Sequence, residues 1–271
     1  MVAASEYCGK AKVGNKDMLG QERRMKILEL LQEEGSARVT NLSELFGVSE
    51  PTVRQDLEKL ERQGYIIREH GGAFLRSVSQ QVRALSLQHM ENLDRKIRVA
   101  RAAAEQIQNG DRIILDSGST TTEIAKQLHD KKELTIITNA LNIALIVGAE
   151  YSFELLVTGG EFKAPTLSLT GEKAAAFFPN LYVDKLFLAT GGISPSFELT
   201  YPGFSDLPVK RAMIEAASQK YLVADSTKIG KISFASLGIM SCVDYLITDS
   251  GISASDREKI ESLGVRVIVA E

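Results

Sequence analysis

The sequence predicts an α/β protein, built as a small, largely helical N-terminal domain followed by a larger domain with a mostly parallel sheet. Three observations carry that expectation. Between Val39 and Ala73 two amphipathic helical patterns, separated at Gly47, run into a short apolar strand. Beyond Arg95 the pattern changes to short apolar runs alternating with helical stretches, as parallel strands with helices on both faces require. A chain of 271 residues, 44% hydrophobic and 25% charged, has the length and composition for one small core and one large one.

Met1 to Asp17 is small and polar without periodicity and is expected to be a disordered tail; Met18, just ahead of the first periodic segment, is a second candidate for initiation. Gln21 to Glu33 reads as a helix with Ile27, Leu28 and Leu31 inward, closed by Gly35. Val39, Leu42, Leu45 and Phe46 line one face of a second helix, and Gly47 supplies a sharp turn. Ser49 is a good N-cap and Pro51 suits the first turn of a third helix, whose buried stripe is Val53, Leu57 and Leu60 and whose end is Gly64. Tyr65 to Arg68 reads as a strand and Glu69 to Gly72 as the turn of a wing.

At 100° per residue, Gln55 and Arg62 point away from the buried stripe, with Thr52 and Lys59 beside them and Arg54 on the far flank. Gln and Arg match the edges of adenine and guanine, the methyl of Thr matches thymine, and Lys matches phosphate. The candidate DNA contacts are therefore Ser49, Thr52, Arg54, Gln55, Lys59 and Arg62, with Arg68 and His70 from the wing. Without DNA, the same pattern is a helical hairpin with a solvated charged face. Net charge is −3, and residues 1 to 80 carry twelve basic and twelve acidic side chains, so binding must rest on a local patch and on more than one copy of the chain.

Residues 75–94 are polar and weakly patterned, as expected of a linker; Leu85, Leu87 and Met90 are too irregularly spaced to define a dimer stripe. Strands are expected at Arg112 to Asp116, Leu134 to Thr138, Glu154 to Thr158, Lys185 to Thr190, Tyr221 to Asp225, Tyr245 to Asp249 and Val265 to Val269. Six of them end on small polar groups, and ligands of open α/β sheets bind at such carboxyl ends. The loop Ser117 to Thr122 combines a glycine and neighbouring hydroxyls with a helix start, which suits a phosphate. Neither a Walker loop nor a dinucleotide fingerprint is present. Lys228 can add a point charge to the same anion, and Asp116, Asn139 and Asp225 can bond sugar hydroxyls.

Two distant cysteines and three scattered histidines suggest neither a disulfide framework nor a metal site, and no cofactor is expected. No run approaches the ~18 apolar residues of a membrane span, and the N-terminus lacks a signal-peptide core, so the expected location is the cytoplasm.

The segment S-E-P-T-V-R-Q-D-L-E-K-L-E-R-Q-G followed by R-E-H-G-G-A resembles the DNA-binding signature of the DeoR family of bacterial sugar-metabolism repressors. It departs at Arg54-Gln55, where the family usually has two arginines. D-S-G-S-T-T, I-T-N-A-L, T-G-G-E, G-E-K-A, A-T-G-G-I, the stretch from Tyr201 to Ala216 and V-A-D-S-T-K-I-G resemble the family's sensor domain, so the resemblance covers roughly Gln21 to Glu271. It implies a winged helix-turn-helix over 18–74 and, over 95–271, a sugar-phosphate sensor related in fold to ribose-5-phosphate isomerase and the coenzyme A transferases. Phosphate contacts are implied from Ser117, Gly118, Ser119, Thr120 and Thr121, and effector contacts from Asp116, Asn139, Gly160 and Lys228; Asp206 and Lys210 lie in a segment that would couple the site to the domain. The implied partners are operator DNA, a phosphorylated sugar and a second copy of the chain, as a dimer or tetramer. The alternative is a sugar-phosphate isomerase with an appended DNA module, against which stands the absence of the isomerases' D-G-A-D and K-G-G-G-G-A segments.

Overall fold

The computed structural model describes residues 20–34, 36–63, 65–69, 72–75 and 89–271. The expected tail, the closing glycines Gly35 and Gly64, the wing residues His70 and Gly71 and most of the linker lie outside the described residues. The chain forms two compact units, Met1–Gln80 and Gln81–Glu271.

In the first unit, helices α1 (Gly20–Glu34), α2 (Val39–Phe46) and α3 (Glu50–Arg62) pack on a small antiparallel sheet of β1 (Ser36–Arg38), β2 (Ile66–Glu69) and β3 (Gly72–Leu75), in the order β1-β3-β2. Ile27, Leu31, Val39, Leu42, Val53, Leu57 and Leu60 are in the core, as the helical spacing predicts, whereas Leu28, Leu45 and Phe46 are half-buried and Leu30 is buried instead. Gly47 takes the left-handed conformation with φ 61°, and the Ser43 hydroxyl closes the turn on the Val48 carbonyl at 2.7 Å. Ser49 caps α3 by accepting from the Thr52 amide, with Pro51 in the first turn. Asp56, buried on α3, accepts from Arg23 Nε at 2.6 Å and Arg24 Nη1 at 3.1 Å and so binds α3 to α1. Strand β1 was not foreseen: three residues carry no periodicity, and only pairing with β3 defines it.

The second unit is a three-layer α/β/α domain. Its helices are α4 (Leu93–Glu105), α5 (Ser119–Ala125), α6 (Leu141–Glu150), α7 (Glu172–Ala175), α8 (Leu207–Ala216) and α9 (Ala254–Ser262). Seven strands make the central sheet: β4 (Arg112–Leu115), β5 (Thr135–Thr138), β6 (Glu154–Val157), β9 (Val183–Leu188), β12 (Ala217–Val223), β14 (Tyr245–Asp249) and β15 (Arg266–Ala270). The order is β15-β14-β12-β9-β4-β5-β6, with every neighbouring pair parallel. Alternation along the strands divides the core. Ile114, Leu186, Leu222 and Leu246 pack with Val209 and Met213 of α8 and Ile260 of α9. Ile113, Leu115, Phe187, Tyr221 and Ile247 pack with Val99 and Ala103 of α4, Ile124 of α5 and Ile143 of α6.

All seven expected strands are present. The hairpin of β7 (Glu161–Lys163) and β8 (Ser168–Thr170) was not foreseen, nor was the antiparallel sheet of β10 (Gly192–Ile193), β11 (Glu198–Tyr201) and β13 (Ala235–Ile239). These strands have two to five residues and no long apolar run. Strand β12 begins four residues before the expected Tyr221, because polar Ser218 to Lys220 hides a segment paired with β9.

No atom stands within 4 Å of the place where a Cβ on Gly47 would go, so backbone strain alone opposes substitution there. Gly47→Ala is expected to destabilise the α2–α3 turn by about 1–2 kcal/mol, and Gly47→Asn to lose less. Hydrogen exchange of the α2 and α3 amides reads both.

Candidate functional site

On the first unit, α3 exposes Gln55, Lys59 and Arg62, with half-buried Thr52 on one flank and exposed Arg54 on the other, as the spacing requires. Ser49 and Thr52 share a hydroxyl contact of 2.8 Å at the helix start. The arginines are not bare. Arg54 pairs with Glu50 at 2.7 Å, Arg62 pairs with Glu58, and Arg68 Nε donates to Glu61 Oε2 at 2.8 Å while Arg68 Nη1 reaches the Arg54 carbonyl at 3.3 Å. The Arg68 side-chain and backbone hydrogen bonds hold the Glu61 carboxyl below the usual range. Arg68 thereby fastens β2 to α3. Gln55 and Lys59 have no ion pair or side-chain hydrogen bond among the described residues and are exposed. The three carboxylates went unnoticed in sequence, although the Glu50–Arg54 and Glu58–Arg62 spacing is the ordinary i,i+4 pair.

On the second unit, strands run outward in sequence from the centre of the sheet: β4, β5, β6 to one side and β9, β12, β14, β15 to the other. The order reverses between β4 and β9, which is where open α/β sheets leave a crevice at their carboxyl edge. There the Asp116 amide donates to the Phe187 carbonyl, and the Asp116 carboxylate accepts from the Ala189 amide at 3.0 Å. Lys210 of α8 donates to both Asp116 oxygens at 2.8 and 2.7 Å and lies 4.7 Å from the centre of the Tyr201 ring. Tyr201 in turn donates to the Ala189 carbonyl at 2.8 Å. Asp206, whose carbonyl accepts the Lys210 amide, pairs with Lys163 at 2.7 Å in the same buried layer.

Asp116 is 0% exposed with both oxygens engaged, so its place is beneath the crevice rather than in it. Ser117, Gly118 and Ser119 form a partly exposed lip, while Thr120, Thr121 and Thr122 are buried. The hydroxyls of Thr121 and Thr122 both donate to the Gly118 carbonyl, and Asn142 donates to Thr122 at 2.8 Å, which fixes the lip from behind. A Cβ on Gly118 would fall 2.5 Å from that of Ala189; the glycine permits close approach of β4 and β9. Asn139 accepts from the Ser117 amide at 3.1 Å and donates to the Leu169 carbonyl, joining the lip to the β7–β8 hairpin. Gly160 follows edge strand β6, two strands away; its missing Cβ makes room for the Thr170 carbonyl and Ala174.

Lys228 ends a 3₁₀ turn, Ser226–Lys228, capped by Asp225, which accepts the Thr227 amide at 3.0 Å. Asp225 is 1% exposed, and its Oδ2 has no hydrogen-bond partner among the described residues. Lys96 of α4, only 3% exposed, lies within electrostatic reach of this turn. Burial, and then the charge of Lys228, pull the Lys96 ammonium below its usual range, against the pull of Asp225, Glu91 and Glu123. Burial and the Lys96 charge likewise push His89 down. Lys96 was overlooked in sequence. Its signal is a lysine at a stripe position, three and four residues before Val99 and Ala100 on the buried face of α4.

Residues 91–250 match the DeoR C terminal sensor domain and residues 23–80 the DeoR-like helix-turn-helix domain. The HTH-type transcriptional regulator GlpR of Haloferax volcanii is 34% identical over 251 residues, covering 93% of this chain and 98% of that protein. The glycerol-3-phosphate regulon repressor of Escherichia coli K12 is 33% identical over 229 residues, covering 84% and 90%. Among solved structures, ribose 5-phosphate isomerase A of Methanocaldococcus jannaschii aligns at TM-score 0.38 and 16% identity, over 51% of this chain and 55% of that one.

Burial pushes the Asp116 carboxyl up, and Lys210 pulls it back. Lys210→Met removes that compensation and is expected to destabilise the second unit by about 3–5 kcal/mol at pH 7. A buried acid with a raised pKa favours the folded state at low pH and loses that favour as pH rises. The deficit should therefore shrink as pH falls towards 5, and Asp116→Asn added to Lys210→Met should recover most of it. Urea unfolding of the parent and the two variants at both pH values reads the outcome.

Proposed function

Because the chain belongs to the DeoR family of helix-turn-helix transcriptional regulators, we propose that it represses a carbohydrate-catabolic operon and that a phosphorylated sugar bound at the carboxyl edge of the large sheet controls its hold on the operator. The observation that carries the effector half is that Lys96, buried on α4, and Lys228, in the turn after β12 next to β9, act on one another electrostatically, the charge of Lys228 disfavouring the Lys96 ammonium. A phosphate between such groups converts repulsion into charge-assisted hydrogen bonds. The lip of Ser117, Gly118 and Ser119 supplies amide and hydroxyl donors to the same anion. Thr120 and Thr121 support the lip, and Asn139 and Gly160 flank the crevice. The unpartnered Asp225 Oδ2 accepts a hydroxyl of the sugar, since a buried acceptor left empty is costly. Asp116 acts through Lys210 by fixing the floor of the crevice.

In the DNA half, Gln55 and Lys59 meet DNA directly, whereas Arg54, Arg62 and Arg68 exchange a carboxylate partner for a phosphate or base. Ser49 and Thr52, at the start of α3, complete the contact surface. One such surface with balanced charge binds weakly, so two copies are required, their recognition helices about one turn of DNA or a multiple of it apart. For the sugar phosphate to release the operator it must bind the DNA-incompetent arrangement more tightly, since a ligand with equal affinity for both states shifts nothing.

Thermal stability of the purified chain against glycerol 3-phosphate, glucose 6-phosphate, fructose 6-phosphate and ribose 5-phosphate, each beside its unphosphorylated parent, tests the effector site. A rise with one phosphorylated compound alone is the expected result; equal rises with parent sugars, or none, refute the site. Lys228→Ala should abolish that rise and leave operator binding intact. Gln55→Ala should relax preference at one or two positions of an operator selected from random duplexes, by about 1–3 kcal/mol, and a uniform loss on all DNA would remove Gln55 from base reading.

A further inference from the structure

Asn92 lies in the second unit, which begins at Gln81, just ahead of its helix α4. His89 and Met90 are helical, Glu91 and Asn92 turn, and α4 starts at Leu93. Asparagine at a helix start ordinarily turns its side chain back to accept an amide of the first turn. Asn92 makes no such cap. It adopts a left-handed backbone, φ 52° and ψ 34°, and directs its amide outward, where Nδ2 donates to Thr227 Oγ1 at 3.3 Å. The Thr227 hydroxyl donates in turn to Asp225 Oδ1, while Asp225 Oδ2 has no hydrogen-bond partner among the described residues. The Asn92 carbonyl accepts the Lys96 amide at 3.1 Å, so one residue touches the Asp225–Lys228 turn by its side chain and Lys96 by its backbone. Arg95 reinforces the contact with a hydrogen bond to Ser226 at 2.9 Å.

We infer that Asn92 is the positioning residue that transmits occupancy of the sugar-phosphate site to the segment leading to the DNA-binding unit, through its hydrogen bond to Thr227. The inference rests on the effector site proposed above. A ligand that donates to Asp225 and draws in Lys228 alters the turn that Thr227 belongs to. Asn92 holds the entry of α4 to that turn in a left-handed conformation, which asparagine adopts more readily than most side chains, and the inference requires that this entry take a second arrangement when the amide is released. Allosteric control needs an element with two arrangements that both sites bias, and this turn has the connections for it.

The full-length chain tests it. Asn92→Gly keeps the left-handed turn, which glycine favours, and removes only the amide; Thr227→Val removes the hydroxyl, and Thr227→Ser keeps it. Each is assayed for the thermal rise with the phosphorylated sugar that shifts the parent protein, and for operator affinity with and without it. Expected is an unchanged thermal rise and sugar-free operator affinity in Asn92→Gly and Thr227→Ser. The effector's influence on DNA, of the order of 5- to 150-fold in the parent, should fall below about twofold in Asn92→Gly and Thr227→Val and persist in Thr227→Ser. Full influence in Asn92→Gly overturns the inference. Linkage is reciprocal, so the operator duplex alone should change hydrogen exchange over 225–232 in the parent and not in Asn92→Gly. If the operator leaves 225–232 unchanged in the parent, the inference fails. If it changes that loop through Asn92 while no sugar phosphate binds, the coupling stands and the effector assignment is the part that falls.

Discussion

The ion pair between Asp116 and Lys210 lies where the strand order of the large sheet reverses, and the geometry of the carboxyl edge follows from it. A carboxylate this deeply buried is tolerated only when its lone pairs are met. Meeting them brings α8, β4 and the end of β9 to one point, because the donors are a lysine from the helix and the Ala189 amide from the strand. The residues that follow Asp116 then have little freedom. Gly118 must be a glycine to pass Ala189, and the lip from Ser117 to Ser119 is presented over a floor that the ion pair has already set.

Floor and mouth lie on different layers of the domain. Along β4, Ile114 packs with the α8 layer and Leu115 with the α4 layer, so Asp116 returns to the α8 side. Asp225, by the same alternation after Leu222 and Val223, falls on the α4 side with Lys96. Asp116 is thus anchored through one helical layer, while Lys96 and Asp225 lie against the other. In the proposed site, substitutions around Lys96 and Lys228 would retune which anion is favoured without unfastening Asp116.

The seven parallel strands were legible because strands covered on both faces read as near-continuous apolar runs, as in Ile113 to Leu115 and Tyr245 to Ile247. The turn chemistry of Gly47, Ser49 and Pro51 was equally plain, since each residue type has one local use there. What escaped notice has non-local causes. Strand β1 exists only through its partner, and the ends of β12 are set by β9 rather than by its own polar residues. Asp116 read as a group facing the ligand because a sequence shows that a strand end is polar and not which helical layer it meets; Lys210, 94 residues on, decides that. Lys96 was visible as a cation on an apolar stripe, but only the fold brings Lys228 beside it.

The pairing of Arg54, Arg62 and Arg68 with Glu50, Glu58 and Glu61 bears on how the protein would find its site. Beyond about a Debye length of some 8–10 Å, each pair presents almost no field, so approach to DNA gains little from long-range steering, and encounter is governed by diffusion and orientation. On contact the exposed pairs, each worth at most about 1 kcal/mol, open readily only where the duplex offers better partners. Random sequence would then be visited and left quickly, and discrimination would fall on how long the protein remains.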